Sequence, residues 1–399
     1  MSSVFESFLS TPEMMSAWGD REFVAAMLRF EAALAAAQAQ AGLISKESAQ
    51  SIIGTCKVEL FDVPRIARDS GRAGSLAIPL IKALKETVAL FNPKAAALVH
   101  LGSTSQDVID TALALISKPA LALIEEDLGL IITALLARAE QHAADPVLAR
   151  TLMQPASVTS LGLKCINWVA PLLRSRERLR RAADEALCLQ LGGAVGHLAQ
   201  MGDKGPQVAA SMAHELGLRD PGASWHTQRD RWVAVACELG LMVGSLGKVA
   251  RDIALMSQFE IGELAEPSEE GRGGSSAMPH KRNPVACMVT LAAAQRAPAR
   301  VAALLGAMVQ EHERALGHWQ AELAEWPGLL MSAHGAARAM AQALPVLQVD
   351  QARMRGNIEA LRQRLPRDAA DEWFAPELAE HAAVQVRRQL QIWRDQGLA

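Results

Sequence analysis

Apolar residues return at helical spacing along most of the chain, and the pattern changes character twice. Residues 21–42, REFVAAMLRFEAALAAAQAQAG, predict a helix stopped at Gly42. Residues 46–57 and 75–91 predict two more, the second ended by Asn92-Pro93. Residues 106–143, 157–190, 227–264 and 284–322 then carry long apolar periodicities with few breakers. Pro119, Pro171 and Pro298 fall inside these spans and predict kinks rather than ends. A helix of about 35 residues is roughly 50 Å long, well beyond the ordinary globular helix. Apolar positions around much of the circumference predict a bundle, and the lack of a sustained strict heptad argues against a coiled-coil rod. Residues 331–362 again read as helical, 363-QRLPRDAADEWFAPE-377 is polar and interrupted, and a last amphipathic helix runs to the end. The pattern divides the chain into an N-terminal helical domain over 1–105, a central long-helix bundle over 106–330 and a small C-terminal helical domain over 331–399.

Composition strengthens the helical reading. Half of the 399 residues are hydrophobic, aromatics are 4% and tyrosine is absent, so strand formers are scarce and an all-α fold is expected. The net charge is −3 and the basic residues are scattered, which leaves nucleic-acid binding without support. The opening MSSVFESFLSTPEMM has neither the basic start nor the apolar core of a secretion signal, and no uninterrupted apolar run reaches membrane-spanning length. Cys56, Cys165, Cys188, Cys237 and Cys287 lie far apart at irregular spacing, which fits neither a disulfide framework nor a zinc site. A cytoplasmic protein with reduced, mostly buried thiols is expected.

Several polar stretches stand out against this background. In 100-HLGSTSQDVIDTA-112, six polar side chains crowd before an apolar run. Helix capping explains one or two of them, and an anion cradle at a helix start explains more. The stretch 150-RTLMQPASVTSLG-162 reads as a polar opening to the next long helix, with Ser157 or Thr159 as its cap. In 225-WHTQRDRW-232, Arg229 and Arg231 are either a solvated helix face or functional cations. In 311-EHERALGHW-319, His312-Glu313 falls short of a zinc-binding HExxH because position 316 is Leu316. The most unusual stretch is 271-GRGGSSAMPHKRNPVAC-287. Its glycines suit a flexible loop, but a plain linker has no use for Lys281, Arg282 and Asn283 set just before a helix start.

GSSAMPHKRNP, residues 274–284, matches the GSSxMPxKxNP signature of the fumarase/aspartase superfamily at every fixed position. STSQDVIDTA from residue 103 and RTLMQPA from residue 150 resemble its other two regions, in the same order. The resemblance implies a three-domain, all-α subunit in a homotetramer. Its central helices would form one shared core, with active sites built from three subunits. It implies that the loop 271–284 closes over substrate on its glycines. Lys281 and Asn283 would stabilise charge spreading into a substrate carboxylate, and Ser275 would transfer the proton. Thr104, Ser105 and Gln106, helped by Arg229, would hold a carboxylate. Gln154, Thr159, His226, Ser276, Met278 and Arg314 would complete the substrate site. His100, His280 and His312 lie in the same motif regions. No metal, nucleotide or organic cofactor is implied.

Within the superfamily, WHTQRDR, ARDIALMSQFEIGELAEP and QEHERALGHWQAE look like the lactonizing 3-carboxy-cis,cis-muconate cycloisomerase branch. That resemblance implies a tricarboxylate substrate closed to 4-carboxymuconolactone. The runner-up is an adenylosuccinate-type lyase that releases fumarate. Its branch carries histidine after RT to protonate a leaving amine, whereas this chain has Leu152. A carboxylate leaves without an acid at neutral pH, so an apolar residue there suits lactonization. A catalytically silent helical oligomer would have let the signature decay, yet Ser275, Met278, Lys281 and Asn283 all stand.

Overall fold

The computed structural model describes residues 4–267, 272–274, 277–278 and 280–398. The elements used below are α1 (Asp20–Gln40), α2 (Ala77–Ala89), α3 (Ser105–Gln141), the hairpin β1 (Pro146–Thr151) and β2 (Gln154–Ser160), α4 (Leu161–Ala186), α5 (Asp230–Met256), α6 (Val285–Gly306), α7 (His318–Ala343), α8 (Gln351–Arg362) and α9 (Ala379–Asp395). Helix dominates, as the composition predicts. Helices α3 to α7 pack on one another as the central bundle. Pro119, Pro171 and Pro298 sit inside α3, α4 and α6 without ending them, and Pro327 does the same in α7.

The contacts at the helix ends fix how the bundle runs. At one end, called the head here, Asp110 in the second turn of α3 meets Arg229 before α5 and Trp319 at the start of α7. At the other end, the tail, the C-terminal part of α3 meets the start of α4, where Gly162 donates to the His142 carbonyl at 2.8 Å. Arg138 near the end of α3 donates to the Leu344 carbonyl just after α7, and Glu266 caps the first amides of α6. The 37 residues of α3 separate head and tail by about 55 Å at 1.5 Å per residue.

Three expectations need correcting, and one helix was not expected. The span expected to open a helix at 157 is strand up to Ser160, which is the true cap of α4 and accepts from the Leu163 amide at 3.1 Å. Alternation along β2 turns Val158 inward with Leu148 against Ile358, Phe374 and Ala379, a small second core that holds the hairpin to the C-terminal helices. The expected helix 284–322 is interrupted between Gly306 and His318, where His312 and Gly317 take positive φ. The expected helix 331–362 is also two pieces, since α7 runs through residue 331 to Ala343 and α8 starts afresh at Gln351. A helix at Val63–Ala73 was not anticipated.

Helix α5 is long and apolar enough to cross a membrane by length and composition. It packs on α4, α6 and α7, as a bundle helix does. All five cysteines are free thiols, with Cys165, Cys188 and Cys287 buried.

Candidate functional site

Arg314, in the loop between α6 and α7, gathers the polar start of α3. It donates to Thr104 Oγ1 at 2.7 Å, to Ser105 Oγ at 2.9 Å and more weakly to Gln106 Oε1 at 3.4 Å. Thr104 caps α3, its amide bonded to Asp107 Oδ2 at 3.0 Å. Hydroxyls, a helix N-terminus and a guanidinium that faces no carboxylate among the described residues converge at one partly exposed point. That arrangement suits an anionic ligand.

Beneath it lies a dry layer of paired charge. Asp107 accepts the amides of Gly192 and Gly193 at 3.0 and 2.9 Å and faces His226 Nε2 at 2.7 Å. His226 Nδ1 faces Ser224 Oγ at 3.0 Å, so both ring nitrogens are used inside the protein. Arg229, 1% exposed, donates to Asp110 at 2.8 and 3.3 Å and to Glu322, and stacks 4.6 Å over Trp225. Burial alone would pull its guanidinium down, and Asp110 and Glu322 outweigh that and hold it above its ordinary value. Burial pushes the Glu322 carboxyl up against the opposing pull of Arg229. Gln106 is buried too, its amide nitrogen bonded to the His226 carbonyl at 2.9 Å and to Asp110 at 3.2 Å.

This layer corrects three sequence expectations. Arg229, His226 and Gln106 read as substrate ligands in the sequence. Here their polar groups are satisfied by the fold, and Arg229 has no face left for a substrate carboxylate. They hold the loop and helix ends that present Thr104, Ser105 and Arg314. Of the acids that consume them, Asp107 stood in the polar cluster 100–107 without a role of its own, and Asp110 and Glu322 were not picked out. Asp107 read as an ordinary first-turn helix acid, Asp110 sits one turn further on without a motif of its own, and Glu322 lies more than two hundred residues from both.

A cleft of about 540 Å³ opens beside Thr104 and Ser105, walled by Ile78, Lys82 and Lys85 of α2 and by His100. His100 takes a positive φ of 64°, and its Nδ1 lies 2.7 Å from Glu31 of α1. Burial opposes protonation of this ring, but Glu31 outweighs burial and raises its pKa. Glu31 is itself buried, and its second carboxylate oxygen has no hydrogen-bond partner. The dyad thus directs a readily protonated imidazole toward the cleft. Nothing in the sequence linked Glu31 to His100, 69 residues apart.

The remaining expected site residues that the structure describes lie at the tail. Lys281 is exposed and Asn283 half-buried just before α6. The Asn283 amide donates to the Gly273 carbonyl at 2.8 Å, so the two arms of the loop pair at its base. A Cβ on Gly273 would sit 2.6 Å from the Asn283 carbonyl oxygen, which requires glycine there. Met278 is 42% exposed. Ser275 and Ser276 lie outside the described residues. Gln154 and Thr159 belong to β2, and Leu152 and Met153 form the hairpin turn, both at positive φ, with Leu152 97% exposed. The expected site residues therefore fall into two groups: Thr104, Ser105 and Arg314 at the head, and Lys281, Asn283, Gln154 and Thr159 at the tail. Among the described residues, no group of three or more His, Cys, Asp or Glu side chains could hold a metal ion.

The family described as Lyase matches residues 8–298. The chain belongs to that family. Among curated relatives of this lyase, a 3-carboxy-cis,cis-muconate cycloisomerase of Pseudomonas aeruginosa is 44% identical over 400 aligned positions, covering 97% of this chain and 87% of the relative. A second, from Pseudomonas putida, is 45% identical over 89% of this chain and 84% of its own length. The crystal structure of the 3-carboxy-cis,cis-muconate lactonizing enzyme from Pseudomonas putida superposes with a TM-score of 0.89 at 38% identity, covering 98% of each chain. The all-α lyase fold expected from the signature loop is the fold found.

Proposed function

We propose that this lyase closes 3-carboxy-cis,cis-muconate to 4-carboxymuconolactone. A substrate carboxylate oxygen attacks the substrate's own double bond and forms the ring C–O bond. The π pair moves to the carbon beside another carboxylate, and one proton then joins that carbon. The step is redox-neutral: the carboxylate lone pair becomes the C–O bond, the π pair becomes the new C–H bond, and one proton is taken up. The observation that carries the reading is the head-end cradle, in which Arg314 holds two hydroxyls at a helix start beside an open cleft. It suits a polycarboxylate, as the names of the relatives do. Arg314, Thr104 and Ser105 anchor one carboxylate. Lys281 and Asn283 donate to the carboxylate that receives the developing charge, the largest expected rate contribution. Ser275 is the proposed proton carrier, and Gln154, Thr159, Ser276 and Met278 line the ring.

Residues about 55 Å apart in one chain cannot meet around one small molecule, given the length of α3. We therefore propose that the working form is a homotetramer, in which the head of one copy receives tail loops of others. The exposed Leu152-Met153 turn and the Lys281 loop are the segments that reach across. We place the enzyme in the cytoplasm, in keeping with its free thiols.

The test mixes purified protein with 3-carboxy-cis,cis-muconate and no added metal, and follows the diene ultraviolet absorbance. Rapid loss with formation of the lactone is expected. No loss from a folded, associated protein overturns the proposal.

A further inference from the structure

We propose that Lys85, with Lys82 one turn before it on α2, binds a carboxylate of the substrate from the α2 wall of the cleft beside Thr104 and Ser105. This inference rests on the function proposed above and names a binding element that neither the motifs nor the head-end cradle supply. A tricarboxylate brings three negative charges to the cleft. Arg229 is consumed by Asp110 and Glu322, which leaves Arg314 and the protonated His100 beside Thr104 and Ser105 to meet them. The α2 wall supplies the missing charge. Ile78, Ile81, Lys82 and Lys85 recur at helical spacing and all line the cleft, an apolar strip for a carbon chain ending in two ammonium groups.

The two lysines differ in their partners. Lys82 lies 4.0 Å from Glu86, a well-exposed i,i+4 pair. Lys85 has no carboxylate within 4.0 Å among the described residues, so its charge is free for a ligand. It is close enough to His100 to oppose the ring's protonation, a smaller effect than burial and the attraction of Glu31. Glu86 also lines the cleft and offsets Lys82, which leaves Lys85 and the protonated His100 as the cations that repel each other when the cleft is empty, and a bound polyanion relieves that repulsion. An ordinary solvated helix face would have no such dependence on ligand.

The experiment compares the full-length enzyme with Lys85→Met and Lys85→Arg on 3-carboxy-cis,cis-muconate. Lys85→Met should raise KM about tenfold, the scale of one lost hydrogen bond to a charged group, with kcat within about twofold. Its melting temperature should stay within about 1 °C, because the side chain is exposed. Lys85→Arg should restore KM to within about threefold of wild type, since it keeps the charge. A KM within about twofold of wild type in Lys85→Met overturns the proposal, as does a change confined to kcat. If the wild type does not turn over this substrate, the functional reading falls. The lysine is then tested by calorimetric binding of propane-1,2,3-tricarboxylate. Weaker binding by about fivefold or more in Lys85→Met supports it, and equal binding overturns it.

Discussion

Arg229→Ala separates a fold-bearing arginine from a substrate-binding one. Its guanidinium is the counterion of two buried carboxylates, with Asp110 at 2.8 Å and Glu322 on its other edge. Removing it leaves both acids in a dry interior, and breaking a buried pair on one side costs about 3–5 kcal/mol. Unfolding entropy near 2.1 cal/mol/K per residue gives this chain roughly 0.8 kcal/mol/K, so about 4 kcal/mol lowers Tm by about 5 °C. The pH dependence adds a second signature. Burial raises Glu322 above its ordinary 4.5 even with Arg229 present, and it will rise further without it. An acid whose folded pKa exceeds its unfolded one binds more protons when folded, so its contribution is best below pH 4.5 and worsens as pH rises through the folded value. The Tm deficit of Arg229→Ala should therefore narrow as pH falls from 8 toward 5, and Arg229→Ala/Glu322→Gln should recover part of it. Differential scanning calorimetry at fixed protein concentration reads all of this. Arg314→Ala is the contrast: Tm close to wild type, with kcat/KM down about a hundredfold. An Arg229→Ala protein with wild-type Tm and a raised KM alone would show that this guanidinium reaches substrate, and would refute the argument.

Three further outcomes are expected. Lys281→Ala should lower turnover by about 10² or more in the steady-state assay, and activity within threefold of wild type would remove it from the catalytic set. His100, raised above 6.5 by Glu31, should keep its proton above pH 6.5, so kcat/KM should have an alkaline limb there. His100→Asn should lose that limb and Glu31→Gln should shift it downward, whereas identical profiles in all three proteins would exclude the dyad. Leu152→Asp should weaken self-association in sedimentation velocity and lower activity with it, because the exposed Leu152-Met153 turn is the segment proposed to reach across to another copy.

Much of the fold was legible because helix formation is encoded in local periodicity. The long span around Val108–Leu135 carries apolar residues often enough that its helix could be placed within a few residues, and the span around Trp232–Ile253 gave the helix start closely but overran its end at Met256 by eight residues. The hairpin was missed because the segment around Val158 is too short for its period to stand out, and its pairing with β1 depends on Ile358 and Phe374, some two hundred residues on. The interruption at 307–317 was missed because nothing local breaks a helix there more strongly than Pro298 or Pro327, and both of those are tolerated inside helices.

The candidate site divides in the same way. Sequence alone pointed to the reaction class through resemblance, because GSSAMPHKRNP, STSQDVIDTA and RTLMQPA are contiguous strings that match a superfamily signature without coordinates. It also determined which cations and hydroxyls were available. Only the tertiary structure decided which of them are free. It buried Arg229 between Asp110 and Glu322, tied His226 to Asp107, and left Arg314 facing Thr104 and Ser105. It set the head and tail of the site a bundle-length apart, and brought Lys85 beside His100. The physical reason is that a charge's role depends on its counterions and its dielectric surroundings, and those come from residues distant in sequence whose meeting is decided by packing.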